Sequence, residues 1–380
     1  MRAILLASAL VLTPVAAFAD LAISANDGKQ VRAGDGLPMV PTKDSVAIIA
    51  FSSISAPKVI GTIGLCGTIM GPPSSVAVAK DYSFALVTCP QKIGPDGKNL
   101  PENKVNVIGL DDPTHPRLLQ TVEAGVGATG IFLNRKGTVA LVTGTGDDSI
   151  TLFTIKDRTL TKGSDVKLDA KAEPRDVIIA PDGKTAYALR FGDAKVTKLS
   201  IDGDKLSRVA DYGVGINPDG GTLTSDGRYL LNNNFGGMPG KTNKGATLVL
   251  DTKTGQVTDV QEVGALPEDI VLSPDNKFAA AVVGNGSATV RNAKNYDSVF
   301  GKLAIFKVGK GKLEPVTDAQ LGHACQGAVW SDDGKRLLVQ CSVERDIRTF
   351  DFDGKVLVPH PEMTLQFESR PGAIATAKTR

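Results

Sequence analysis

Aromatic side chains make up only 5% of this 380-residue chain, with one Trp, and histidine occurs three times. So few imidazoles argue against a histidine-rich metal cluster and leave little material for histidine acid–base chemistry. An excess of basic charge is also missing: 43 Lys and Arg oppose 41 Asp and Glu, a formal net charge of +2. The electrostatic footprint of a nucleic-acid binder is therefore absent, and no nucleic-acid partner is expected. Past residue 19 no apolar run is long enough to cross a bilayer. What the chain has in quantity is glycine, 41 residues, and proline, 21, on a background 42% hydrophobic and 22% charged. That composition is globular, and it favours many short strands and turns over long helices.

Residues 1–19, MRAILLASALVLTPVAAFA, have the layout of a secretory signal. Arg2 supplies the charge, Ile4 to Leu12 the apolar stretch, and Ala17-Phe18-Ala19 the small-residue cleavage site. The run is too short for a membrane anchor, and no Cys follows it to carry a lipid. An exported protein beginning at Asp20 is expected, with the periplasm as its compartment and no membrane span after processing.

Export gives the four cysteines a meaning. Cys66, Cys89, Cys325 and Cys341 are an even set in an oxidising compartment, which reads as two disulfides with three possible connectivities. No pair has the Cys-x-x-Cys spacing of zinc, redox or haem sites, so no metal and no cofactor are expected.

A repeat organises the rest. One hairpin recurs as SVAVAKDYSFALVT (75–88), GIFLNRKGTVALVT (130–143), DVIIAPDGKTAYAL (176–189), GGTLTSDGRYLLNN (220–233), DIVLSPDNKFAAAV (269–282) and GAVWSDDGKRLLVQ (327–340). The turn centres, Tyr82, Gly137, Gly183, Gly227, Asn276 and Gly334, lie 55, 46, 44, 49 and 58 residues apart. Several turns carry Asp-Gly or Asp-Asn, residues that accept the positive backbone angles of tight hairpins. A third and usually a fourth strand follow each hairpin, and four antiparallel strands per repeat is the signature of a propeller blade.

The chain ends supply one blade more. RPGAIATAKTR (370–380) aligns with the innermost strand in 266–276, and LAISANDGKQV (21–31) with a second strand. Residues 46–63 match 105–122 position for position as outer strands. The expectation is an all-β, seven-bladed β-propeller of four-stranded antiparallel blades over 20–380, closed by N- and C-terminal segments sharing one blade. In this register Cys325 and Cys341 lie nearly opposite across one hairpin. Cys89 is the equivalent of Cys341, and Cys66 precedes its hairpin. Local pairs 66–89 and 325–341 are therefore favoured over cross-blade pairing.

The Pro-x-x-Ile/Val…Pro-Asp-Gly-Lys…Tyr-Ala units resemble the YVTN-type repeats of bacterial seven-bladed propellers, a superfamily that includes lactonase-like propellers. Segments 46–63 and 105–122 resemble the strand-plus-Pro LVIVD repeat. The lactonase-like resemblance implies a hydrolase with Arg, His and Glu at the channel mouth. Its Gly-Pro-Arg-His element falls on Glu173-Pro174-Arg175-Asp176, so Arg175 matches and the histidine is replaced by Asp176.

The register also places one residue of each blade at the channel entrance: Ser74, Thr129, Arg175, Asp219, Glu268, Gln326 and Gly372. Asp176 and Asp269 lie one step further in. Arg175, Asp176, Asp219, Glu268 and Asp269 thus converge from three consecutive blades, as candidates for binding a polar ligand, with Arg175, Asp176, Asp219 and Glu268 as candidate catalytic groups. Long connections at 90–104, 235–245 and 284–302 are expected to fold over the same funnel, adding Arg190, Asn233, Asn234, Asn285, Arg291 and Tyr296. His323, two residues before Cys325, is the histidine nearest that entrance. No nucleophile elbow or phosphate loop accompanies them, and Gly240-Lys241-Thr242 lacks the upstream glycine and the strand–helix setting of a P-loop. With no complete catalytic constellation, the sequence favours a monomeric periplasmic binding or interaction protein whose partner is another protein or a small polar ligand. A lactonase-like hydrolase or isomerase, or an accessory subunit of a redox enzyme, are the alternatives.

Overall fold

In the computed structural model, residues 20–30 and 41–377 are described; the signal segment expected at 1–19 lies outside them. All six expected turn centres have positive φ, from 57° at Tyr82 to 72° at Gly227. Glycine serves four of them, where an L side chain would be strained. At each turn the chain folds back in register, as where the Gly183 amide donates to the Ala180 carbonyl at 2.9 Å.

The hairpins build seven antiparallel sheets. Blades 1 to 6 begin with the innermost strands Val76–Val78, Ala128–Leu133, Pro174–Ile179, Pro218–Leu223, Pro267–Leu272 and Cys325–Trp330. Blade 7 has the order Arg370–Thr376, Asp20–Asp27, Ser45–Ser52, Ser55–Ile63. The end of the chain supplies its innermost strand and the start supplies the other three, so the ring closes through backbone hydrogen bonds between the two ends of the chain. The two LVIVD-like segments occupy equivalent outer positions in blades 7 and 1.

Burial follows position in the blade. Innermost strands such as Ala128–Leu133 are buried throughout, as strands packed on both faces must be. Outermost strands alternate, as Lys205–Gly213 does, with one face on the neighbouring blade and one in water. Fully buried Phe51, Phe153, Phe350 and Trp330 fill the gaps between sheets, each contributing on the order of 2–3 kcal/mol by removal from water. The Trp330 indole also donates to the Val271 carbonyl of the preceding blade at 3.2 Å.

Two local features depart from the sequence reading. Residues 90–104 are not an irregular connection. Strands Phe84–Ile93 and Asn99–Gly109 run on past the sheet and pair as far as Ile93 with Asn99, forming a β-arm closed at Gly94–Lys98. The apolar alternation continues through Ile93 and Leu100, which the turn-rich composition of the segment disguises. In blade 6 the outer strand is split into Leu357–Pro359 and Leu365–Gln366 around a short 3-10 turn at Pro361–Met363, because proline cannot donate to the ladder.

The disulfides are Cys66–Cys89 and Cys325–Cys341, the local pairs, and no described cysteine is free. The second joins the first two strands of blade 6 at Cα positions paired in the ladder. Replacing both Cys325 and Cys341 by Ser is expected to lower the free energy of unfolding by about 3 kcal/mol, the loop-entropy value for a 16-residue separation. Urea melts of the variant and of the oxidised wild type check this.

Candidate functional site

Five of the seven innermost strands enter the ring through the same strained corner. Glu173, Asn217, Leu266 and Ala324 all have φ between 46° and 56°, with Gly127 at the equivalent place at 68°. In the first three the next residue is Pro, which discourages a helical-type angle before it. The corner is held because the residue leaving the second strand donates to it, as Phe191 does to the Glu173 carbonyl and Phe235 to Asn217. Strain of this sort persists where the surrounding structure over-determines it, and here it ranges the next two residues of each of these blades along the channel mouth.

Arg175, Asp219 and Glu268 meet there. The Arg175 guanidinium donates to Asp219 Oδ1 at 2.9 Å and lies 3.2 Å from the centre of the Phe191 ring. Phe191 is braced edge-on by Phe235 at 5.5 Å. Stack and ion pair together fix the guanidinium plane, and its side chain remains 23% exposed to the mouth. Asp219 is fully buried. Burial, reinforced by Asp176 and Asp269, pushes its carboxyl up from 3.8 to about 7 despite Arg175. Glu268 keeps some surface open to the funnel yet is densely surrounded by protein. Burial first and then the charges of Asp219 and Asp269 hold it well above the ordinary glutamate range. Asp219 has the arginine, so of the two Glu268 is the one that holds its proton more tightly.

The Phe191 and Phe235 supports were not singled out in the sequence. Both follow a second strand and precede a glycine, Phe191-Gly192 and Phe235-Gly236. That repeated Phe-Gly at equivalent blade positions was the available signal.

Asp176 and Asp269 have a different position. Asp176 Oδ2 accepts from the Gly221 amide of blade 4 at 3.1 Å, and Asp269 Oδ2 from the Ala328 amide of blade 6 at 3.3 Å. These bonds complete a set that ties neighbouring blades. In blades 1, 2, 4 and 6 the inner residue is small, namely Ser75, Gly130, Gly220 and Gly327, and a polar residue on the second strand reaches the next blade's backbone. Thr88 donates to the Thr129 carbonyl, Thr143 to Arg175, Asn233 to Asp269 and Gln340 to Ala373. In blades 3 and 5 the second strand offers Leu189 and Val282 opposite these positions, and the aspartate makes the link. Replacing Asp176 by Ala leaves the buried Gly221 amide unpaired. A loss of about 1–3 kcal/mol in unfolding free energy is expected, measured by urea titration.

The remaining candidates lie as follows. Gln326 is buried, donates to the Ile69 carbonyl at 3.0 Å, and leaves its Oε1 without a protein partner, as do Ser74 Oγ and Asp219 Oδ2. Arg190 does not reach the funnel. It is buried inside blade 3 among Asp169 at 2.7 Å, Asp211 at 3.0 Å and Asp193, with Arg208 joining the same aspartates. Asn234 is buried at the end of its strand, and Asn285 holds the 284–302 segment by donating to the Phe300 carbonyl at 3.1 Å. Arg291 is exposed on that segment. His323 is buried, bonded to Glu344 and to the Tyr296 carbonyl, and stacked on the Tyr296 ring at 3.8 Å. It anchors the loop. Cys341, Glu344 and Asp346 approach one another nearby, but the sulfur is committed to the disulfide and cannot be a metal thiolate.

A cleft of about 290 Å³ opens beside Arg175, walled by the β-arm through Pro90, Leu100 and Pro101, by Met70, and by Thr129 and Thr145. A larger cavity of about 870 Å³ lies on the opposite face among the hairpin turns of blades 5 to 7, away from the carboxyl pair.

The family described as lactonase, 7-bladed beta-propeller, matches residues 130–291, a span that contains Arg175, Asp219 and Glu268. Among solved structures, the periplasmic gluconolactonase of Pseudomonas aeruginosa is 15% identical, covering 94% of this chain and 98% of its own, with a TM-score of 0.71. A Bacteroides fragilis protein named as a 6-phosphogluconolactonase is 19% identical over 96% and 99%, with a TM-score of 0.68. Hydrazine synthase of Kuenenia stuttgartiensis is 18% identical over 76% and 80%, with a TM-score of 0.58. At these identities the likeness is one of fold. No curated protein sequence matches. The chain is a seven-bladed propeller, and its stretch 130–291 is similar to the lactonase family.

Proposed function

We propose that this propeller is a hydrolase of lactones or related esters, acting outside the cytoplasm at the Arg175 end of its channel. The observation that carries the proposal is a buried carboxyl pair beside a fixed guanidinium, with Asp219 pushed to about 7 and Glu268 raised as well. Acids poised near neutrality suit proton transfer, and an exposed edge of Arg175 suits a carbonyl oxygen that gains negative charge. Asp176 replaces the histidine of the lactonase-like pattern and is engaged between blades, so the proton-handling role passes to Asp219 and Glu268.

Hydrolysis then has a balanced course. Ionised Asp219 takes a proton from water as its oxygen bonds to the carbonyl carbon, and the oxyanion rests against Arg175. When the ring C–O bond breaks, the proton on Glu268 passes to the departing alkoxide. The product is the hydroxy acid, and the two carboxyls exchange their proton with solvent to restore the starting state. Both disulfides and the fold shared with a periplasmic gluconolactonase support a periplasmic location. The ring closes within one chain, so a monomer is sufficient.

The protein lacking residues 1–19 is expected to release acid from at least one member of a panel holding δ-valerolactone, δ-gluconolactone and δ-decalactone. Stopped pH-indicator traces read it, and absence of release from every member would overturn the hydrolase. The binding role favoured by the sequence would then be the better reading, since unpartnered Ser74, Gln326 and Asp219 oxygens also suit a polar ligand.

A further inference from the structure

The cleft beside Arg175 has a composition that discriminates among the ligands a lactone site can take. On the β-arm side it is lined by Pro90, Leu100 and Pro101 together with Gln91 and Asn99, and Met70 lines it as well. Met70 is 42% and Leu100 39% exposed, large apolar side chains held open to solvent at the rim. Isolated exposed apolar residues are ordinary, but these line one concave surface ending at the guanidinium. Leu100 is held there by structure, since the ladder pairs Lys92 with Leu100 and Gln91 with Pro101 in the arm.

The charge pattern points the same way. Among the described residues lining the cleft, Arg175 is the one cation, and Asp219 already pairs with it. Glu268 and Asp269 lie behind that pair within electrostatic reach. A phosphate dianion entering here would meet no uncommitted cation and would face carboxyl groups. A polyhydroxylated ring would set several of its hydroxyls against proline, leucine and methionine; Asn99, Thr129 and Thr145 are already bonded within the protein, which leaves the Gln91 side-chain oxygen as the unpartnered acceptor among the lining side chains.

We infer that the cleft formed by Met70, Pro90, Leu100 and Pro101 is an acyl or alkyl subsite, so that the ligand is a neutral lactone or ester carrying an apolar chain and not a phosphorylated or free sugar lactone. The inference rests on the hydrolase reading for the carbonyl placed at Arg175, while the subsite itself is a binding property. About 290 Å³ holds roughly ten water-sized groups, room for a chain of medium length beside the ring.

Lactams resist hydrolysis, so their binding can be measured whether or not the protein turns lactones over. Calorimetric titration with δ-valerolactam and with its 6-pentyl derivative is expected to show at least tenfold tighter binding of the pentyl compound. Leu100→Asp should remove most of that difference, and Met70→Ser should reduce it. Circular dichroism of both variants establishes that the fold is retained. Equal affinity for the two lactams, or a preference that survives both substitutions, overturns the subsite. In the parallel rate assay, δ-decalactone is expected to exceed δ-gluconolactone and its 6-phosphate in kcat/KM by tenfold or more. A preference for either sugar lactone rejects the subsite while upholding the hydrolase. Chain-selective lactam binding with no lactone turnover rejects the hydrolase and upholds the subsite.

Discussion

Arg175→Met is expected to lower kcat/KM for the best lactone substrate by about 10²–10³-fold, the effect of removing one preorganised donor to a developing oxyanion. Methionine keeps an unbranched side chain of similar reach against Phe191 but supplies neither charge nor N–H. The loss should fall on kcat, because the guanidinium edge gains most when the carbonyl oxygen becomes an alkoxide. A variant that raises KM and leaves kcat intact would show that Arg175 only holds the substrate. Arg175→Lys provides the second arm. Lysine restores the charge but neither the planar stack at 3.2 Å on Phe191 nor the fork that meets Asp219 at 2.9 Å, so recovery should be partial. Removing the cation also withdraws the one group that lowers the Asp219 carboxyl. The acid limb of the pH–rate profile should accordingly move upward in Arg175→Met, a change that a merely structural arginine would not produce.

The architecture was legible because it is periodic. Six short hairpins with turn residues at matching places specify both the strands and the positive φ between them, and the same register brings the termini together in blade 7. Register also brings Arg175, Asp219 and Glu268 to one rim, since equivalent residues of successive blades meet around the axis. What register does not specify is the partner each side chain chooses. Asp176 and Asp269 stand beside the rim residues, yet they bond sideways to the next blade. The complementary pattern of Asp opposite Leu189 or Val282, and Gly or Ser opposite Thr, Asn or Gln, was present in the sequence without being used. Arg190 ends the second strand of blade 3, and its burial depends on Asp169 and Asp211 from neighbouring segments, contacts that no local pattern announces. The β-arm was hidden by turn-forming composition, although Ile93 and Leu100 continue the strand alternation.

Asp219→Asn is expected to abolish turnover and at the same time to make the protein relatively more stable above neutral pH. In the wild type the folded carboxyl titrates at about 7 against an ordinary 3.8. Between those values the native state holds a proton that the unfolded chain has released, so stability falls as pH rises from about 4 to about 7 and is flat beyond. The difference corresponds to at most about 4 kcal/mol, a ceiling because the neighbouring Glu268 takes part in the same titration. Asparagine resembles the protonated acid at every pH. The stability of Asp219→Asn relative to wild type should therefore climb by about 2–4 kcal/mol from pH 4 to pH 8, read from urea melts at each pH. A flat difference would mean that Asp219 ionises normally and that the proposed base is not poised. Glu268→Gln separates the two acids. The rise at Asp219 comes from burial, Asp176 and Asp269, so the kinetic limb near pH 7 should survive in Glu268→Gln. What that variant loses is the proton for the leaving alkoxide: kcat should drop by about 10²–10⁴-fold, with the alkaline limb gone. A substrate with an activated leaving group, such as a nitrophenyl ester, needs no such proton and should lose far less, which separates the acid role from a purely structural one. On the hydrolase reading, the buried pair trades stability at neutral pH for a base and an acid in the same pocket.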